Sequence, residues 1–347
     1  MKVSYKSYNL KFKHPFGISK GTKTHQPSIV VELEHMGLKG YGEAPAITYY
    51  DVTVEKMAQH LEFKKVMVEK FAFTDPERYW HYLHHLFPNN PFLVCALDIA
   101  GWDLWGKMGG KPLKEFWTPT HPKSPKTDYT IGIDSIEKMV EKIKEKTWPI
   151  YKIKLGTDND IAIIEALRKH TDAVFRIDAN AAWKAVEALD KINAFKDLGV
   201  EFIEQPLAKD DWEGMKLLFE KSPLPLIADE SCVFEQDVDK CLNHFHGINI
   251  KLTKCSGITP ALRMINRARE LDMHVMVGSM NESTLGSAAI AHLMPLIDFV
   301  DVDGPLLLGE DIAKGLTYYP DGTVLTSALP GLGIEFTDIY QKEEAPI

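Results

Sequence analysis

From residue 129 to residue 302 the chain alternates short apolar runs with amphipathic stretches eight times over, and that alternation restricts the folds open to it. The apolar runs fall at 129–133, 150–154, 173–178, 201–204, 225–229, 247–252, 273–278 and 298–302. Helical periodicity occupies 135–146, 158–170, 186–198, 211–220, 236–243, 260–271 and 284–293 between them. Strands that are continuously apolar rather than alternating are buried on both faces, and parallel neighbours need a crossover helix. Eight such units spaced by roughly 25 residues fit a β/α barrel, with a doubly wound open sheet as the other fold that shares the alternation. No eighth helix follows. Gly304-Pro305 instead opens a Gly- and Pro-rich tail that reads as returning to the first part of the chain.

The first part has a different rhythm. Residues 3–12, 27–35 and 40–43 alternate as a meander of strands, with a turn at Met36-Gly37, a loop over 14–22 and a second loop over 46–50. From Val54 to about Gly110 the period becomes 3.6, and Asp75 and Pro91 divide it into three helices. Small residues in Ala96-Leu97-Asp98-Ile99-Ala100-Gly101 suit close packing. Pro119, Pro122 and Pro125 mark the junction between this α+β segment and the barrel pattern. At 347 residues and 45% hydrophobic content, about two domains are affordable.

Composition narrows the partners. A net charge of −9 without a basic block speaks against nucleic acid. No apolar run reaches the ~18 residues of a membrane span, and the N-terminus lacks a secretory core. Cys95, Cys232, Cys241 and Cys255 stand far apart with no CxxC, so neither a disulfide framework nor a thiolate zinc site is indicated. The expectation is a soluble, cytoplasmic protein that handles a small molecule; the sequence leaves homo-oligomerisation open.

In a β/α barrel the C-terminal strand ends converge on one site. Here six of the eight carry charge: Lys152 and Lys154, Asp178, Glu204, Asp229, Lys251, and Asp301 with Asp303. One such residue would be a solvated loop group. Asp178, Glu204 and Asp229 follow one another at intervals of one βα unit, so three adjacent strands deliver carboxylates to one height. An oxygen-only set suits Mg²⁺, or Mn²⁺ in its place, better than zinc. Such an ion also accounts for Lys152 and Lys154, which share one face of a strand and would otherwise read as solvated lysines on an edge. Lys154 and Lys251 lie on opposite sides of the barrel. Crowded near a divalent cation and near each other, they should give up protons more readily, one as base and one as acid. That pair would take a proton from one face of a carbon α to a carboxylate and return one to the other face.

Lys152-x-Lys154, Asp178-Ala179-Asn180 with Trp183, Glu204-Gln205-Pro206, Ala228-Asp229-Glu230-Ser231 and Lys251 together resemble the enolase superfamily, in its muconate lactonizing enzyme subgroup. The helix with Asp98, Trp102 and Asp103 is similar to that family's capping-domain signature. The resemblance implies an α/β fold of the modified TIM-barrel type, (β/α)7β over 126–315. An α+β capping domain over 1–125 would be completed by 316–347. It also implies a metal site at Asp178, Glu204 and Asp229, and loops near Phe16 and Ile47 that close over substrate. A Lys or His base working with Mg²⁺ is the known chemistry of the superfamily. Asp301-Val302-Asp303 resembles the Asp-x-Asp motif of dipeptide epimerases, whose carboxylates bind the substrate's α-ammonium group; the plain alternative is an acidic loop after the last strand. Thr130, Ser279 and Met280 occupy positions that contact substrate in similar proteins. No histidine falls at the C-terminal end of the seventh strand, which disfavours the His-dependent subgroups.

The function so implied is Mg²⁺-dependent epimerisation of L,L- to L,D-dipeptides at the C-terminal residue's α-carbon. Lys154 and Lys251 are the acid/base pair, and Lys152 adds positive charge beside the substrate carboxylate. The rivals are an N-acylamino acid racemase, an o-succinylbenzoate synthase or a cycloisomerase of the same subgroup, a Schiff-base aldolase and a binding barrel. On specificity, Gly21 stands where similar enzymes that prefer an acidic second residue carry Arg; the adjacent Lys20 lacks Arg's bidentate fork. Phe16, Ile18, Ile47 and Met280 supply an apolar lining. A small first residue such as Ala and a hydrophobic second residue are therefore expected.

Overall fold

The computed structural model describes residues 1–18, 21–117 and 124–341. A three-stranded antiparallel sheet opens the chain, with β1 (Lys2–Ile18), β2 (Gly21–His35) and β3 (Leu38–Pro45) in sequence order. Helices α1 (Val54–Lys70), α2 (Pro76–Leu86) and α3 (Pro91–Met108) cover it. Thr53 and Asp75 cap the first two by accepting the amides of Lys56 and Arg78, and Pro76 and Pro91 open the second and third where a missing N–H costs nothing. Sheet and α3 meet without side chains between them. A Cβ on Gly42 would lie 2.0 Å from the Ala96 carbonyl oxygen, so glycine is what lets strand and helix touch.

Eight parallel strands then pair in sequence order: β4 (Tyr129–Ile131), β5 (Ile150–Lys154), β6 (Val174–Asp178), β7 (Val200–Glu204), β8 (Leu226–Ala228), β9 (Gly247–Ile250), β10 (His274–Gly278) and β11 (Phe299–Asp301). A parallel bridge between Thr127 and Val300 closes the ring, and Thr127 Oγ1 accepts the Val302 amide at 3.0 Å. The crossovers are α4 (Ile136–Glu145), α5 (Asp160–Arg168), α6 (Ala185–Lys196), α7 (Trp212–Lys221), α8 (Glu235–Cys241), α9 (Leu252–Cys255) with α10 (Ile258–Glu270), and α11 (Thr284–Ala291). No gap in the ring leaves β5 as an edge, so Lys152 and Lys154 are buried rather than solvated. The barrel's lower interior is filled by Arg176, Phe202, Ile227 and Met276, and Arg176 is neutralised by Asp128 at 2.9 Å and Glu201 at 2.7 Å.

Two buried acids fix the α+β layer to the barrel, and a third fixes the tail to that layer. Glu43 on β3 accepts from the Ser283 hydroxyl at 2.5 Å and from the Gly286 amide at 3.0 Å, at the N-terminal end of α11. Asp98 on α3 accepts the Thr259 amide and hydroxyl at 3.0 and 2.7 Å on α10. Asp103 accepts the amides of Tyr41 at 2.9 Å and Leu332 at 2.8 Å, tying the tail back to the first part of the chain.

Two local expectations are corrected. Pairing in the first hairpin continues through most of the supposed 14–22 loop: after a register shift beyond Lys11, Phe16 faces Lys23 and Ile18 faces Gly21. The hairpin is supported from below, because Ile133 N donates to Gly17 O at 3.0 Å and any side chain on Gly17 would strike that strand end. β9 ends at Ile250, and Lys251 precedes a short helical turn. A further turn, α12 (Gly304–Leu307), follows β11 in place of an eighth crossover helix. Lys20, Pro119 and Pro122 lie outside the described residues.

Candidate active site at the junction of cap and barrel

Register puts the charged strand ends side by side. Lys154 pairs with Asp178, Asp178 with Glu204, and Gly278 with Asp301. Because side chains alternate along each strand, Lys152 and Lys154 both point inward, one below the other.

Lys152 is the lower hub. Its Nζ lies 2.7 Å from Glu204 Oε2, 3.0 Å from Asp301 Oδ2 and 3.3 Å from Asp178 Oδ2. Burial opposes its charge, but Asp301, Glu204 and Asp178 overcome that and hold the ammonium well above its ordinary range. One level up, Lys154 Nζ donates to Asp178 Oδ2 at 2.5 Å. Across the barrel Lys251 Nζ lies 3.5 Å from Asp229 Oδ2 and donates to Ser279 O at 3.2 Å. Lys254, on the helical turn after β9, donates to Asp229 Oδ1 and to the Asp229 carbonyl. Asn249 Nδ2 steadies Glu204 Oε1 at 2.7 Å; a side chain on Gly278 would collide with that amide. Gln205 receives the amides of Asp229 and Ser231 on its carbonyl oxygen.

Charge separates the carboxylates. Burial raises every one, but Lys154 and Lys152 bring Asp178 down to about 2, and Lys251 with Lys254 brings Asp229 well below the usual range. Glu204 is raised by burial and by the Asp178 charge. Lys251 is governed by the acids around it. Burial lowers its proton affinity, but Asp229, assisted by Glu204 and Asp301, outweighs that and raises it.

These groups meet beneath a cavity of about 110 Å³. Phe16, Lys23, Ile47, Tyr49 and Tyr50 form its roof; Thr130, Lys154, Asp229, Lys251, Ser279, Met280, Asp301 and Asp303 line its floor and walls with Asn180, Glu230 and Asn281. Lys152, Asp178 and Glu204 lie below it, so Lys152 faces carboxylates instead of the cavity. A larger cavity of about 880 Å³ adjoins at Tyr50 and Glu230. Lys56, Lys209 and Lys254 line it, but Lys154, Lys251, Asp301 and Asp303 line the smaller cavity and not this one, so the charged strand ends converge on the smaller one.

At the far wall the Thr130 amide donates to Asp303 Oδ2 at 2.6 Å. Burial and the neighbouring Asp301 and Asp128 push Asp303 well above the carboxylate range, whereas Lys152 and Lys251 overcome burial to lower Asp301. Asp301 Oδ1 and Asp303 Oδ1 are buried and accept no hydrogen bond among the described residues.

Two acidic sets have metal-like chemistry. Asp128, Asp301 and Asp303 bring ligand oxygens within 4.8 Å of one another, but Asp128 is already held by Arg176 and Asp301 by Lys152. Asp178, Glu204 and Asp229 are three buried carboxylates at adjacent strand ends that lysines hold likewise, but Glu204 Oε2 accepts no hydrogen bond although Lys152 lies within ion-pair distance, an orphaned oxygen of the kind a hard cation takes. The sequence reading overlooked Lys23, Lys254, Asn249 and the two tyrosines. Only Lys254, three residues after Lys251, had a local signal.

A parallel barrel whose mouth gathers acids and lysines under an α+β cap is the architecture of enolase-type enzymes. Residues 2–117 match the mandelate racemase / muconate lactonizing enzyme N-terminal domain, and residues 134–340 match the enolase C-terminal domain-like family. The chain is 52% identical to an L-Ala-D/L-amino acid epimerase of Flavobacterium johnsoniae, across 96% of this chain and 99% of that one. It is 39% identical to an L-Ala-D/L-Glu epimerase of Bacteroides thetaiotaomicron, across 96% and 88%. A dipeptide epimerase of Enterococcus faecalis, solved with Mg and L-Leu-L-Tyr, superimposes with a TM-score of 0.90 at 30% identity over 96% of this chain and 98% of that one. The chain belongs to the mandelate racemase / muconate lactonizing enzyme family of the enolase superfamily.

Proposed function

We propose that the protein epimerises L,L-dipeptides to L,D-dipeptides at the α-carbon of the C-terminal residue. The observation that carries this reading is the pair of buried, unsatisfied oxygens, Asp301 Oδ1 and Asp303 Oδ1, on residues of the cavity wall. Buried acceptors of this kind call for a cationic donor, and the α-ammonium group of a dipeptide supplies one. An N-acylated amino acid has no such charge, which separates this reading from a racemase of the same subgroup. The relatives named as epimerases agree with it.

Asp178, Glu204 and Asp229 would hold Mg²⁺, with Mn²⁺ as the alternative. When bound, the ion supplies positive charge for the substrate carboxylate and for the enediolate made by α-proton removal. Lys154 and Lys251 face the substrate from opposite sides of the barrel; one takes the α-proton at Nζ and the other returns a proton to the opposite face. Lys152 holds Asp178, Glu204 and Asp301 in place from below. Lys254 and Gln205 orient Asp229. Phe16 and Tyr50 exclude water above, which strengthens every charge–charge interaction in the cavity.

The same reading divides the chain into a cap of 1–125 with 316–347 and a barrel of 126–315, and puts a cytoplasmic enzyme to work on Ala-hydrophobic dipeptides. All four cysteines are free and buried, and no helix among the described residues is long and apolar enough to cross a membrane. The test is a dipeptide library in D₂O read by mass spectrometry. Ala-Val and Ala-Leu should gain one deuterium and epimerise faster than Ala-Glu, and N-acetylation should slow turnover by several orders of magnitude. Faster turnover of the acetylated compound would identify an N-acylamino acid racemase instead.

A further inference from the structure

On the proposed reading Asp301 and Asp303 receive the substrate's ammonium group. A third acid, Asp128 just before β4, joins them, and the three bring oxygens within 4.8 Å of one another. Asp128, Asp301 and Asp303 are buried at 0, 4 and 1% exposure, and each keeps an Oδ1 that accepts no hydrogen bond among the described residues. The nearest cations are already shared. Lys152 serves Asp301, Glu204 and Asp178, and Arg176 serves Asp128 and Glu201. The lysines that line the cavity are held elsewhere, Lys154 by Asp178 at 2.5 Å and Lys251 by Asp229 at 3.5 Å.

Asp303 is the acid left over. It makes no ion pair among the described residues and takes the Thr130 amide at 2.6 Å, a neutral donor. Tyr129 on β4 and Tyr318 in the tail also act on it electrostatically, and neither brings positive charge. Three buried carboxylates this close cannot all stay ionised on two shared cations; the surplus charge needs a further cation or a proton. Burial, Asp301 and Asp128 push Asp303 well above the carboxylate range, which makes it the member that keeps the proton.

We propose that Asp303 is protonated in the free enzyme and that the dipeptide's α-ammonium group takes the place of that proton, so that substrate binding releases one proton to solvent. The O–H bond of Asp303 breaks, its proton goes to water, and the carboxylate left behind pairs with the ammonium group. No bond of the dipeptide changes. The wall is thus neutral enough to stay buried while empty, and its last negative charge forms only when a cation arrives to meet it. An uncharged amine or an N-acyl group cannot drive the exchange, so the same step discriminates against both.

The inference rests on the epimerase reading, and one experiment separates the two. Ala-Leu, equilibrated beforehand so that its L,L and L,D forms undergo no net reaction, is titrated calorimetrically into Mg²⁺-loaded enzyme at pH 7 in buffers of different ionisation enthalpy. The dependence of the heat on the buffer counts the protons, and wild type should release about one per site. The infrared band of a protonated carboxyl group should disappear as the dipeptide binds. Asp303→Asn has no such proton to lose, so release should fall to near zero and affinity by about tenfold or more, the worth of one charge-assisted hydrogen bond. Release that persists in Asp303→Asn would overturn the inference. So would a carboxyl band in wild type that survives binding, a measurement that does not depend on the variant's folding. Turnover of Ala-Leu without proton release on binding would overturn the inference alone, whereas an enzyme that neither binds nor turns over any dipeptide would overturn the epimerase reading and this inference with it.

Discussion

Lys152 and Asp301 meet at 3.0 Å, the second strand of the barrel holding the last across the interior, although 149 residues separate them. The same ammonium serves Glu204 and Asp178, so its removal leaves three buried carboxylates without their shared counter-charge. Lys152→Met should cost about 3–5 kcal/mol of stability, the range for breaking a buried ion pair from one side. Urea denaturation measures it. Adding Asp301→Asn should recover part of the loss, and strict additivity of the two changes would contradict the shared-hub geometry.

Asp178→Asn, Glu204→Gln and Asp229→Asn each keep one oxygen but lose the charge that balances a divalent cation. Calorimetric titration with MgCl₂ should show affinity reduced by more than about a hundredfold, since changes to the partners of metal ligands alone cost about 10–100-fold. Epimerisation should disappear with it. Full wild-type turnover after exhaustive chelation would remove the metal from the mechanism.

Lys154 and Lys251 line the cavity from opposite sides, and on the proposed reading each serves one face of the α-carbon. Lys154→Ala and Lys251→Ala should both abolish epimerisation while retaining solvent-deuterium exchange with opposite stereoisomers, because the surviving lysine can take and return its own proton. Proton NMR of L,L- and L,D-substrates in D₂O reads this. Exchange of the same isomer by both variants would rule out the two-face arrangement.

His292 lies buried between the chain before the barrel and the tail. Its Nδ1 accepts the Lys114 amide at 3.2 Å, which leaves the proton on Nε2 for the Leu332 carbonyl at 3.1 Å. Burial lowers it from 6.5 to about 4. The unfolded chain therefore binds the extra proton first, so stability is complete above pH 6.5 and falls as pH drops toward 4. At about 1.36 kcal/mol per unit the full loss is roughly 3 kcal/mol. Urea midpoints at pH 7 and pH 4.5 should differ less for His292→Gln than for wild type. An equal difference would place the acid sensitivity elsewhere.

The barrel was legible in the sequence because burying a parallel strand on both faces demands an uninterrupted apolar run, and burying one face of a helix demands a 3.6-residue period. Each is a local constraint, and all eight strands and the long crossover helices lie within a few residues of where those patterns put them. The strand-end charges were legible for the same reason: one acid per βα unit is a spacing along the chain. The hairpin over 14–22 was misread because its pairing depends on the barrel rim at Ile133, and nothing in Phe16–Thr22 itself announces that support.

What the sequence alone determined, then, was the set of elements and the chemistry available at their ends. The tertiary structure decided which charges meet. Lys152 reads locally as a partner for substrate, yet closure of the ring turns it toward Glu204, Asp178 and Asp301. Lys23 reads as an ordinary strand lysine until the hairpin folds over the mouth and encloses it beside Lys154 and Lys251. Proton affinity in a buried cluster depends on charges hundreds of residues away along the chain but a few ångströms away in space, and no local pattern encodes that distance.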